Sequence, residues 1–167
     1  MTVGQRLKRF RKRKGLTQKQ LGVAVGFDNR TADIRIAQYE TGTRKPKDKY
    51  IEKLASIIDV QPSALEIPEV ESYEHFFQLL FALEDEYGLK ISKDEHGTPC
   101  LVPDIYSSSS HCDTFRAWYK KAEQLKNGEI TQEEYDDWRY QYPASSARET
   151  RAALDALRQK KKEDGEI

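Results

Sequence analysis

Arg35 and Gln38 stand three residues apart in the stretch IRIAQYETG. A guanidinium offers two parallel N–H donors that match the O6/N7 edge of guanine, and a carboxamide offers the donor and acceptor that match adenine. Both can act this way only from a rigid element that carries them outward together. Thr31, Asp33 and Ile34 lie just upstream and could add polar or apolar contacts to the same base edges. Thr17, Gln18, Arg44 and Lys45 are of the types that hold phosphate, through hydroxyl, amide or positive charge. Arg30 could serve a phosphate or simply be solvated. A second set of chemically able residues is His96, Cys100, His111 and Cys112, four potential metal ligands within seventeen residues. None of the paired spacings of zinc sites is present, and adjacent ligands at 111 and 112 are awkward, so ordinary packing is the expectation and no metal or other cofactor is assigned. Oxidation of the two cysteines is the lesser alternative.

The elements that must position Arg35 and Gln38 are legible around them. Thr17 and Gln20 can form a capping box that starts a helix. Leu21, Ala24 and Val25 follow at helical spacing, and Gly26 suits a left-handed C-terminal residue. Asp28 and Asn29 offer turn or N-cap chemistry. A second helix follows with Ile36 and Tyr39 inward and Gly42 closing it. Thr31, Arg35 and Gln38 then fall largely on one exposed side, the arrangement a helix needs when it lies in a DNA major groove.

Formal charge locates the same region. The whole chain carries 28 Lys/Arg and 28 Asp/Glu, but residues 1–50 hold fourteen basic residues against four acidic ones. The first fifty residues are therefore +10 and the remainder −10. A basic head on an acidic body points to a polyanion partner for the head.

The segments GLTQKQLGVAVG and IAQYETGTRKP resemble the Cro/repressor type (XRE-like) of bacterial helix-turn-helix regulator, and the resemblance extends over about residues 3–65. It implies a five-helix, lambda-repressor-like DNA-binding domain at 1–67, with the motif at 17–42. It also implies double-stranded DNA as partner, homodimerisation, and backbone contacts from Thr17, Gln18, Arg44 and Lys45. One departure stands out. Between Gly26 and Tyr39 the chain carries about four residues more than the usual spacing, so either the turn is longer or the second helix begins earlier. Tyr39, Glu40 and Gly42 align, whereas Thr31, Asp33 and Ile34 do not.

The rest of that domain reads readily. Thr2 and Gln5 can box a first helix over about 2–14, with Val3, Leu7 and Phe10 inward and Arg6, Lys8, Arg9, Arg11, Lys12 and Arg13 covering its other faces. A fourth helix over about 47–59 buries Ile51, Leu54, Ala55 and Ile58. Pro62 opens a short fifth.

Ile67-Pro68-Glu69 reads as a boundary, and 70–167 as a mostly helical α+β domain for oligomerisation or a partner. VESYEHFFQLLFALEDEYG predicts a helix apolar nearly all round, covered by its own domain, by a dimer partner, or by both. LKISKDEHGTPCLV predicts a β-hairpin turning at Glu95-His96-Gly97. Ser107–Ser110 reads as a loop. A helix from about Cys112 to Lys126 is expected to bury Phe115, Trp118, Tyr119, Ala122 and Leu125. Asn127-Gly128 ends it, and Thr131 with Glu134 boxes the next. WYKKAEQLKNGEITQEEYDDW is similar to short bacterial oligomerisation modules. A last helix, capped by Ser146 and Glu149, is expected to turn Ala147, Leu154 and Leu157 inward.

The fold class expected is thus mainly α. No apolar run approaches the ~20 residues of a membrane span, and no signal peptide is expected, which places the protein in the cytoplasm with reduced thiols. HExxH, P-loop, GxGxxG and GxSxG motifs are absent, and the carboxylates at 84–86 and 136–137 read as wet helix faces, so no enzymatic activity is expected. The function that follows is a sequence-specific transcriptional regulator, in the first instance a repressor, acting as a homodimer on inverted repeats. The alternatives are an antitoxin or adaptor whose second domain binds a protein partner, and a small-molecule or metal sensor.

Overall fold

The structure, a computed structural model, describes residues 1–104 and 109–163, with side chains given for all of these except 109–111 and 163. In chain order the elements are α1 (Val3–Arg13), α2 (Gln18–Val25), α3 (Ala32–Thr41), α4 (Asp48–Ile58), α5 (Pro62–Leu65), α6 (Tyr73–Tyr87), β1 (Leu89–Lys93), β2 (Pro99–Pro103), α7 (Ser109–Lys126), α8 (Gln132–Tyr140) and α9 (Ala144–Glu163). They group into two units. One comprises Met1–Glu69 with Asp136–Ile167, the other Val70–Tyr135.

In the first unit, local chemistry sets the helix ends. Thr2 and Gln5 form a reciprocal capping box at the start of α1, and Thr17 and Gln20 form one at the start of α2. Each box satisfies two otherwise orphaned backbone donors. The apolar stripes then meet in one core of fourteen buried residues, among them Leu7, Leu21, Ile36, Leu54 and Leu65, all essentially solvent-free. Ile51, Leu54, Ala55 and Ile58 of α4 are buried as expected. Two close approaches draw the helices together. A Cβ on Gly4 of α1 would lie 2.3 Å from the Tyr39 carbonyl oxygen, and one on Gly22 of α2 would lie 2.4 Å from that of Ala32.

One division between the units falls between Glu69 and Val70. The other, between Tyr135 and Asp136, falls inside α8, where no change of composition marks it. The segment after it joins the first unit through Tyr140. That ring packs edge-on against Phe10 at 4.7 Å between centroids. The guanidinium groups of Arg9, Arg13 and Arg139 lie 5.1–5.7 Å from its centroid. The Tyr140 carbonyl accepts from the Gln61 N–H at 2.8 Å, and Arg13 pairs with Asp137 at 2.7 Å. Tyr140→Ala is expected to lower the stability of this unit by about 1–2 kcal/mol, the scale of one aromatic pair with its cation contacts. Tyr140→Phe keeps the ring and should stay within ~0.5 kcal/mol of the parent. Urea denaturation of the full chain separates the two.

The last helix departs from expectation. It begins at Ala144, two residues before the expected cap at Ser146. Ser145 Oγ donates to the Trp138 carbonyl at 2.7 Å and fixes its first turn. From Ala147 to Lys162 every residue is exposed, including Leu154 and Leu157, which were expected inward.

In the second unit α6 ends at Gly88 in the left-handed conformation. The strands pair antiparallel with Ile91 opposite Leu101, around a turn in which Asp94 Oδ1 accepts from the N–H groups of His96 and Thr98. The hairpin is anchored by Lys90 on Asp104 at 2.7 Å. The next helix starts earlier than expected, at Ser109, so 109–110 are not loop, and 107–108 lie outside the described residues. Trp118 and Tyr119 are exposed rather than buried, with Trp118 Nε1 donating to the Tyr135 hydroxyl at 2.8 Å. Thr131 and Glu134 form the expected capping box of α8, and its backbone hydrogen bond holds the Glu134 carboxyl below the ordinary range.

Candidate nucleic-acid interface

The residues singled out for base edges converge on α3. Its inner side is Ala32, Ile36, Tyr39 and Glu40, all buried. At 100° per residue the opposite side carries Ile34, Ala37, Gln38 and Thr41, with Asp33 and Arg35 on its two flanks. Ile34 is 54% exposed, a large apolar side chain held in water on a helix whose other large apolar residues, Ile36 and Tyr39, are buried. Thr31 is the exposed residue before the helix and makes no side-chain cap, its hydroxyl reaching only the Asp28 carbonyl at 3.5 Å. Arg35 is half-buried, its guanidinium 5.2 Å from the centroid of Phe27, and reaches along the flank of α3 toward the turn. Burial raises the Tyr39 phenol above its usual range, with Arg44 opposing that shift.

The extra residues fall in the turn. Six residues, Gly26 to Thr31, separate α2 from α3. Gly26 ends α2 at φ 98°, Asp28 Oδ1 accepts from Arg30 N–H at 2.9 Å, and the Asp28 carbonyl accepts from Thr31 N–H at 2.9 Å. This side-chain-stabilised turn places Arg30 in solvent, beside the start of α3. The helix consequently begins at Ala32, and Asp33 and Ile34 lie in its first turn.

On the flanks, Thr17 is exposed at the N-terminus of α2, where unpaired backbone N–H groups favour an anion. Arg44 and Lys45 are exposed in the loop after α3, tied to it by the Arg44 N–H on the Gln38 carbonyl at 3.1 Å. Gln18 has a different position from its neighbours. Its Nε2 donates to Glu40 Oε2 at 2.8 Å, so it faces inward to α3.

That bond belongs to a network the sequence reading did not draw. Arg11, expected on a solvated face of α1, is buried. Its Nε meets Glu40 Oε1 at 2.5 Å and its second terminal nitrogen meets Oε2 at 3.1 Å. Its remaining terminal nitrogen donates to the Leu16 carbonyl at 2.7 Å. One bidentate pair thus links α1, the entry to α2 and the inner side of α3. A signal was present. Arg11 is four residues after Leu7 and shares its stripe, so it had to be inside, and a buried guanidinium needs a buried carboxylate.

Two short helices at a close crossing, the second presented outward and pinned from within, are the geometry of a helix-turn-helix. Residues 7–65 match the Helix-turn-helix family. That segment is a domain of the family. The protein is accordingly a DNA-binding regulator. A crystal structure of the transcriptional regulator BswR is matched at 33% identity over 51% of this chain and 94% of that one, with a TM-score of 0.39. No curated protein matches.

Of the second chemical cluster, His96 lies in the hairpin turn, Cys100 is on β2 and Cys112 is buried on α7. The side chain of His111 lies outside the described residues. No group of three potential metal ligands exists among the described residues, and no helix among them is long and apolar enough to cross a membrane.

Proposed function

We propose that the protein is a sequence-specific transcriptional regulator that binds inverted-repeat operators as a homodimer in the cytoplasm and represses by occupying a promoter. It acts by binding and not by catalysis. The observation that carries this reading is the outward face of α3. Ile34 and Gln38 project from it, and Arg35 and Asp33 flank it, while Glu40 fixes the inner side. Gln38 and Arg35 address adenine and guanine edges, and Ile34 suits a thymine methyl group. Asp33 and Thr31 stand at the N-terminal end of the recognition helix, the part of the motif that approaches bases. Thr17, Arg30, Arg44 and Lys45 hold phosphates. Gln18 serves the same end by bracing Glu40 at the entry of α2. Counterion release by the basic residues supplies most of the affinity, and the half-sites lie about 34–36 Å apart.

Selection from a random duplex pool at near-physiological salt tests the reading, with enrichment of an inverted repeat as the expected outcome. Recovery of a salt-sensitive pool with no common sequence would overturn it. On the selected site, Arg35→Ala is expected to cost about 1–3 kcal/mol and to relax preference at one base position. Arg44→Ala should weaken all sequences alike and reduce the salt slope by about one. Equal losses on cognate and scrambled duplexes for both variants would abolish that division of roles.

A further inference from the structure

The second unit has apolar residues but little interior. Among its described residues only Cys112 is buried, against fourteen core residues in the helix-turn-helix unit. α6 buries none of its fifteen residues. Tyr73, Phe76, Leu79, Phe81 and Tyr87 are each 41–73% exposed. Their uncovered surface comes to roughly 600 Å², the upper end of the largest apolar patch on a monomer and short of the ~800 Å² per partner of a standard interface, so other elements must add to it. The hairpin and α7 repeat the pattern at Ile91, Leu101 and Trp118. A groove for a peptide would leave the rest of the unit with a core. Here the apolar residues of the described elements are at most half-buried apart from Cys112, which is the form of a core cut in half, and obligate homodimers have interfaces of that kind.

We infer that α6 is the two-fold interface of the protein, packed antiparallel against α6 of a second copy. Direction follows from charge. Glu84, Asp85 and Glu86 crowd the C-terminal end of α6, whereas the first ten residues contain one carboxylate, Glu74. Parallel packing would bring six carboxylates together. Antiparallel packing sets each acidic end beside the partner's N-terminal turn, where the helix dipole favours negative charge. The apolar sector of the helix, from Leu79 through Phe76, Tyr87 and Tyr73 to Phe81, spans about 200° at the ordinary helical pitch and runs its whole length. Half-buried Phe77, Leu80 and Leu83 lie within the same sector, as does Glu84 between Tyr73 and Phe81, while Glu74, Asp85 and Glu86 lie on the other arc. The inference deepens the homodimer of the proposed function, and it stands on the second unit's surface rather than on any property of the DNA face.

The test uses the full chain. Sedimentation equilibrium at micromolar concentration should give a dimer for the parent and for Gln78→Glu, on the polar arc, and a monomer for Phe76→Glu. Helical circular dichroism should be the same for all three. Orientation is read by mixing Tyr73→Cys and Tyr87→Cys chains made with Cys100→Ser and Cys112→Ala. Disulfides should form between the two variants in the mixture and not within either alone. A monomeric parent, a Phe76→Glu variant that stays dimeric, or cross-linking of Tyr73→Cys to itself would each overturn the inference. So would dimers displaced by a stoichiometric protein of another mass. DNA binding separates this from failure of the reading head. Phe76→Glu should bind a single half-site as the parent does and lose about 100-fold or more on the complete repeat, the gain of linking two heads. A parent that dimerises but selects no sequence would refute the DNA reading and leave the interface standing.

Discussion

Arg11→Ala is expected to destabilise the helix-turn-helix unit by about 3–5 kcal/mol, the cost of leaving one partner of a buried ion pair alone. Glu40 would keep a single acceptor bond, from Gln18, for two oxygens sealed from water. The Leu16 carbonyl would also lose its guanidinium donor. Glu40→Ala should cost a similar amount for the opposite reason, a guanidinium without its carboxylate. The pair as a whole is another matter. Arg11→Met with Glu40→Leu removes both charges and both desolvation penalties, and should recover most of the loss. DNA affinity should not recover with it, because a Met–Leu contact does not fix the rotation of α3 as a two-bond fork does. Urea denaturation and binding to the selected duplex, measured on all four proteins, check both halves. An Arg11→Ala variant within 1 kcal/mol of the parent would show that water reaches the pair.

Why that network escaped the sequence, when so much else did not, is a matter of range. Capping boxes are local. Thr2 with Gln5, Thr17 with Gln20 and Thr131 with Glu134 each need three residues of context, and each is present. Stop signals at Gly26, Gly42 and Gly88 are local too, and all three take positive φ. The Arg11–Glu40 pair spans 29 residues, so although the stripe shared with Leu7 turns Arg11 inward, nothing near Arg11 names the carboxylate it meets. The longer turn was visible as a count but its place was not, because Asp28 could cap a helix or close a turn with the same oxygen. Trp118, Leu154 and Leu157 were expected inward because apolar spacing says that a face will be covered without saying by what. On α6 and α7 the described residues leave much of that face exposed, whereas the same pattern in residues 1–65 closes into a core. The positions on α3 were legible from Ile36 and Tyr39 inward, but the course of Arg35 toward Phe27 depends on a turn conformation that composition does not determine.

Gly22→Ala is expected to destabilise the protein by about 1–3 kcal/mol, although its position inside α2 argues for the reverse. Alanine is favoured over glycine in a helix interior by about 1 kcal/mol, so at an open position the change would stabilise. At Gly22 the new Cβ would stand 2.4 Å from the Ala32 carbonyl oxygen and 2.9 Å from the Ala32 Cβ. Both belong to the first residue of α3, and the nearer is backbone, so no rotamer relieves the contact. Either α2 or α3 must move, and the outward face of the recognition helix moves with it. Binding to the selected site should therefore fall further than the stability loss alone accounts for at concentrations where the variant remains folded. Gly26→Ala gives the contrast. Its φ of 98° strains a side chain, but nothing lies within 4 Å of the added Cβ. It should lose about 1 kcal/mol of stability and keep the affinity of its folded fraction. A Gly22→Ala protein more stable than the parent would mean that the two helices of the motif cross farther apart than the backbone places them. The rigid coupling of α3 to the rest of the fold would then rest on Arg11 and Glu40 alone.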